Sequence, residues 1–169
     1  DDWRTKERTL RFADFYTGRD TTVYNYDPEK KIIRSAFNGS KGPMLEVTDE
    51  DWFGTNQEAL RSRSAYMDQF RNVKGDIPFN LCATSLAANA WLMTGDDHYK
   101  DWVIDYVGAW RERAIRNGDI IPSNVGINGV IGEHWDGKWY GGLFGWNFPE
   151  LGGFNMISRG MRIGFNNAF

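Results

Sequence analysis

Residues Phe79 to Gly118 read FNLCATSLAANAWLMTGDDHYKDWVIDYVGAWRERAIRNG, and the fold is decided here. From Asn80 to Met93 almost every side chain is apolar or small, as expected of a helix buried on every side. Thr94-Gly95 can end that helix and Asp96 can cap the next, so the joint is short and the two helices run antiparallel. In the partner, Tyr99, Trp102, Val103, Tyr106, Val107, Trp110 and Ala114 follow the i, i+3, i+4, i+7 rule. Lys100, Asp101, Asp105, Arg111 and Glu112 lie mostly off that stripe, and Asn117-Gly118 closes the helix. A wholly buried helix beside an amphipathic one is the expected inner and outer pair of a two-layered helical array. The fold class is therefore all-α.

Outward from this hairpin the pattern is less regular. DDWRTKERTLRFADFYTG reads as a helix with Trp3, Leu10 and Phe15 as apolar contacts, ending near Gly18. The following stretch, with Tyr24, Tyr26, Asp27-Pro28 and Ile32-Ile33, reads as an irregular connection or a small hairpin. Asn38-Gly39-Ser40 fits a glycosylation acceptor, but the pattern is common by chance and a plain turn explains it better. A charged, surface-facing helix is predicted from Thr55 to Phe70, through Ala59, Tyr66, Met67 and Phe70. After Gly118 the period is lost. Residues 119–153 read as a long loop with short strands at IIP (120–122) and VIG (130–132), and a last helix begins near Phe154. Most of the 19 glycines fall between Gly118 and Gly164. Residues 1–169 are read as a single helical domain, and as a piece of a longer protein because the last helix is cut off at Phe169 with no stop signal.

Bulk properties remove several classes. A net charge of −3 leaves no basic footprint for nucleic acid. No apolar run approaches the ~20 residues of a membrane span. Cys82 is the single cysteine and reads as a small core residue, and His98, in a first helical turn, reads as solvent-facing. With the two histidines far apart, no Cys pair and no EF-hand loop, neither a metal site nor a cofactor is expected.

The segment GDIPFNLCATSLAANAWLMTGDDHYKDWVIDYVGAWRERAIRNG (Gly75 to Gly118) resembles the helical hairpin of the α/α-toroid carbohydrate-active enzymes, which include six-hairpin glycosidases and toroidal polysaccharide lyases. The shared features are a small-residue inner helix, the TGD joint, a Tyr in the first turn of the outer helix and the WRER-like end. IPSNVG and KWYGGLFGW look like active-site loops of the lyase branch. The resemblance implies helical hairpins of an incomplete α/α toroid, closed by further chain segments. It also implies a polysaccharide or oligosaccharide ligand, with secretion or the periplasm as the expected location.

GEHWDGKWYGGLFGWNFP (Gly132 to Pro149) fits that implication, since sugars offer flat C–H faces to aromatic rings and hydroxyls to short polar groups. Trp135, Trp139 and Trp146 are candidate platforms and Asn147 a polar contact; alternatively the rings plug the end of the helical array. A lyase acting on a uronic-acid polymer needs a base, an acid for the leaving oxygen, and donors to the substrate carboxylate. His134 and Tyr140 are the candidate base and acid, and Asn80 and Asn124 the candidate donors. Arg159 and Arg162 are a charged alternative, although surface placement suits them better. A glycosidase needs two carboxyl groups roughly 5 to 9 Å apart; Glu133 and Asp136 are candidates, with Asp76 or Glu150 opposite. A third class is a non-catalytic glycan-binding or structural helical module.

Overall fold

Two capping residues set the central hairpin. Gly95 takes φ +70°, a left-handed conformation open to glycine without strain, and its N–H donates to the Trp91 carbonyl. The Asp96 side chain then accepts the His98 N–H at 3.1 Å, satisfying one free donor of the next helix. The computed structural model describes residues 3–22, 25–34, 55–61, 75–141, 145–146 and 153–169. In chain order the named elements are α1 (Trp3–Thr17), β1 (Tyr26–Asp27), β2 (Ile32–Ile33), β3 (Gly75–Asp76), a 3₁₀ helix (Pro78–Ala83), α2 (Thr84–Thr94), α3 (Asp97–Arg116), β4 (Val125–Gly126) and α4 (Gly153–Ala168). Helix dominates, as the sequence indicates.

The helix α2 packs against α1, α3 and α4. This segment departs from its sequence pattern in two ways. The first turns, from Pro78, are 3₁₀ rather than α, with Pro78 in the opening turn. Nor is α2 buried all round: Thr84, Ala87 and Ala90 face the core, whereas Leu92 is 74% exposed and Met93 39%. Small side chains let the neighbouring helices approach one face closely. The larger residues of the last turn lie beyond that contact.

Helix α3 behaves as its stripe predicts. Tyr99, Trp102, Val103, Tyr106, Val107 and Trp110 are buried, and burying each contributes on the order of 1.5–3 kcal/mol. Trp102 and Tyr106 stack with centroids 4.9 Å apart, and Tyr26 from β1 meets both edge-on. On α1, Ala13 and Thr17 are buried, Leu10 and Tyr16 pack partly against the core, and Gly18 ends the helix with φ +76°. Trp3, expected as a core contact, is 65% exposed, under the Arg4 guanidinium; its position in the first turn puts it outside the packed part of the helix.

The region after α1 forms the small hairpin. β1 pairs antiparallel with β2, Tyr26 opposite Ile33, and the Asp27 carboxylate accepts the Glu29 and Lys30 N–H groups to hold the turn. A second antiparallel pair joins β3 to β4, Asp76 opposite Val125. The strand expected at 120–122 is therefore displaced to Val125–Gly126, since Pro122 can donate no ladder hydrogen bond. Of the 130–132 strand, Ile131 forms an isolated bridge with Val125. Residues 57–61 are helical and Asn56 caps them by accepting the Ala59 N–H. Tyr66, Met67, Phe70 and Asn38-Gly39-Ser40 lie outside the described residues.

Helix α4 starts at Gly153, one residue from where its pattern begins, and lies directly over the 3₁₀ helix. A β-carbon on Gly160 would strike the Pro78 carbonyl, and one on Gly164 would lie 2.8 Å from Leu81 side-chain carbons. These two positions set how closely the helix can seat.

Candidate functional site

The glycine-aromatic loop is ordered by its own backbone and by two buried side chains. Ser123 donates its N–H to the Trp139 carbonyl at 2.7 Å, and its hydroxyl lies within hydrogen-bond distance of the Trp139 and Gly141 carbonyls. Asn124, 7% exposed, donates its amide to Gly141 at 2.8 Å and to Lys138 at 3.4 Å. A tight turn follows, in which Gly132 and Gly137 both have positive φ and the Gly137 N–H donates to the Gly132 carbonyl. Gly132 has no room for a β-carbon because the Gly137 backbone lies against it.

This architecture assigns each candidate a place. His134 and Trp135 are half-buried inside the Gly132–Gly137 turn, and Asp136 is exposed at φ +52°. His134 Nε2 is buried and has no hydrogen-bond partner among the described residues. Trp139 meets Tyr140 edge-on with ring centroids 5.5 Å apart, and Tyr140 is 41% exposed. The proposed base and acid thus share one loop, but no hydrogen bond joins them. Glu133 accepts the Asn128 backbone N–H at 3.0 Å and its side-chain amide, which leaves it as a brace of the β4 turn. Trp146 donates its indole N–H to the Ile121 carbonyl and packs toward Phe154, as a core-edge residue.

Two expected carboxylate donors are already engaged. The Asn124 amide serves the loop carbonyls, and the Asn80 amide donates to Asp76 at 2.8 Å. Arg159 and Arg162 are exposed, as is His98, and Cys82 is half-buried, with burial pushing its thiol up. Asn147 and Glu150 lie outside the described residues. Among the described residues there is no group of three His, Cys, Asp or Glu side chains able to hold a metal, and no helix long and apolar enough to cross a membrane.

A buried polar cluster centres on Asp76, and its members are scattered in the sequence. Asp76 is fully buried on β3 and accepts the Ile33 N–H at 3.0 Å, the Asn80 amide and the Tyr106 hydroxyl at 2.9 Å. The Arg113 guanidinium stands 4.0 Å away, stacked over Trp110, and donates to the Lys30 and Lys31 carbonyls at 2.9 Å. Burial pushes the Asp76 carboxyl up to about 6 against the opposing pull of Arg113 and the hydrogen bonds. Burial, and then the Asp76 charge, push the Tyr106 hydroxyl well above its ordinary value. The cluster ties both two-stranded sheets, the 3₁₀ helix and α3 together. Its signal in the sequence was Arg113, a charge placed on the buried stripe three residues after Trp110.

Comparison with known proteins adds a family and no chemistry. No curated protein and no solved structure matches the chain. A family model matches residues 1–64 and 55–169, and with that coverage the chain belongs to the family described as Domain of unknown function (DUF8034).

Proposed function

We propose that this protein belongs to an α/α-toroid carbohydrate-active enzyme and that its glycine-aromatic loop acts on a uronic-acid polysaccharide by β-elimination. The observation that carries this reading is the His134 Nε2, buried without a hydrogen-bond partner among the described residues, in the loop that also carries Trp135, Trp139 and the exposed Tyr140. Five other side-chain atoms among the described residues share this state, but His134 sits in the glycine-aromatic loop, where an imidazole nitrogen suits a ligand that the loop admits by opening. In this mechanism His134 removes the proton next to the uronate carboxylate, and Tyr140 protonates the departing glycosidic oxygen. Trp135 and Trp139 hold the sugar faces.

The toroid itself is part of the proposal, supported by the capped hairpin α2–α3 with α1 and α4 packed against α2. Hydrolysis by Glu133 and Asp136 is the weaker reading, because Glu133 is committed to Asn128 and Asp136 sits alone in an exposed turn. A non-catalytic glycan-binding module remains the alternative from another class. The purified protein is offered a panel of uronic-acid polysaccharides while ultraviolet absorbance of the unsaturated product is followed. A rise lost in His134→Ala and Tyr140→Phe supports elimination. New reducing ends without absorbance point to the carboxylates, and binding without turnover points to a module.

A further inference from the structure

The candidate base and acid share no hydrogen bond, but one buried residue is bonded to the backbone that carries each of them. Asn124 stands directly before β4, which pairs with β3 so that Val125 lies opposite Asp76. Asp76 is bonded in turn to the Tyr106 hydroxyl of α3. The backbone at Asn124 is therefore tied to the core rather than to the loop it holds.

Two arms leave this anchor. The main-chain carbonyl of Asn124 accepts the Gly132 N–H at 3.4 Å. The Gly132 carbonyl then accepts the Trp135 and Gly137 N–H groups at 2.9 and 3.0 Å, which closes the turn holding His134. The side-chain amide reaches the other way, to the Gly141 carbonyl at 2.8 Å and the Lys138 carbonyl at 3.4 Å. These two carbonyls bracket Trp139 and Tyr140. Ser123, fully buried, adds its own N–H to the Trp139 carbonyl at 2.7 Å. A primary amide has two N–H donors, and Asn124 directs its Nδ2 at carbonyls on either side of Tyr140.

We infer that Asn124 is a positioning residue that sets the separation of His134 from Tyr140, its carbonyl fixing the turn of the base and its amide the segment of the acid. The inference rests on the elimination reading for the roles of those two side chains. Elimination takes a proton from one carbon and releases an oxygen from its neighbour, so base and acid must meet one sugar ring at a fixed spacing. A misplacement of about 1 Å can cost on the order of 100-fold in rate.

The test compares the parent with Asn124→Ala and with Asn124→Asp, which is close in shape but has no donor when ionised. Both variants keep the main-chain carbonyl, so the expected response is one-sided. In NMR spectra of the full chain, the Tyr140 and Gly141 amide signals shift while those of Gly132 and Gly137 stay near their parent positions. On a uronic-acid polysaccharide, kcat is expected to fall on the order of 10–100-fold, by more than KM changes. Loss of a general brace would instead disturb both halves of the loop. Gly132 and Gly137 signals that move as far as those of Tyr140 and Gly141, or an unchanged kcat in a folded variant, would overturn the inference. A parent that forms no unsaturated product refutes the elimination reading alone. The NMR response then decides by itself whether Asn124 places the Tyr140 segment independently of the His134 turn.

Discussion

Arg113 shows how one residue can carry information that its neighbours in sequence do not. It falls on the buried stripe of α3, with Tyr106 and Trp110, where an aliphatic side chain would ordinarily sit. A guanidinium there needs an anion, and Asp76, distant in sequence, supplies it at 4.0 Å. Removing one partner of a buried pair leaves the other charge desolvated and uncompensated. Arg113→Met is therefore expected to destabilise the protein by about 3–5 kcal/mol, read as a lowered urea midpoint. A loss below about 1 kcal/mol would mean that Asp76 is held by Ile33, Asn80 and Tyr106 alone. The pair is half legible in sequence: the misplaced charge can be seen, but not which acid meets it. Asn80 and Asn124 illustrate the same limit, because both look like free donors until their buried acceptors are in place.

At the scale of elements, local chemistry and packing contribute separately. The stop at Gly95, the cap at Asp96 and the stripe of α3 are all local, and each is found where the sequence puts it. The seat of α4 is not local. Its amphipathic pattern predicts a helix, but only the approach of the Pro78 carbonyl explains why residue 160 must lack a β-carbon. Gly160→Ala raises intrinsic helix propensity by ~1 kcal/mol, so an isolated helix would gain from it. In the folded protein the added methyl meets rigid backbone. The expected net effect is a loss of about 1–3 kcal/mol, visible as a lower melting temperature. An unchanged or raised melting temperature would show that α4 can shift away from the 3₁₀ helix at little cost.

For the whole molecule, the buried carboxyl couples stability to pH. The Asp76 carboxyl titrates near 6 in the fold against an ordinary 3.8, so the folded chain holds its proton more tightly than the unfolded chain. That contribution is fully present below about pH 4 and is lost as pH rises through about 6, at roughly 3 kcal/mol in all. Urea unfolding between pH 4 and pH 7 is expected to show this fall superimposed on the other titrations. Asp76→Asn is expected to flatten it, because the substituted group cannot ionise. If the parent and Asp76→Asn curves run parallel over that range, the titration of Asp76 is not linked to folding.

The sequence by itself determined the helical class, the capped hairpin and the last helix. Those depend on side-chain period and on residues within one turn of each other, which act before any tertiary contact exists. It also marked the glycine-aromatic loop as unusual. Tertiary structure decided which side chains were still available for function. Burial is a property of what packs against a residue, so α2 turned out one-sided although apolar all round, Trp3 exposed and Trp146 a core-edge ring. Hydrogen-bond partners are likewise chosen in space. Asn124 and Glu133 were taken up by the loop and Asp76 by α3, while His134 Nε2 and Arg113 Nη1 were left buried without a hydrogen bond among the described residues.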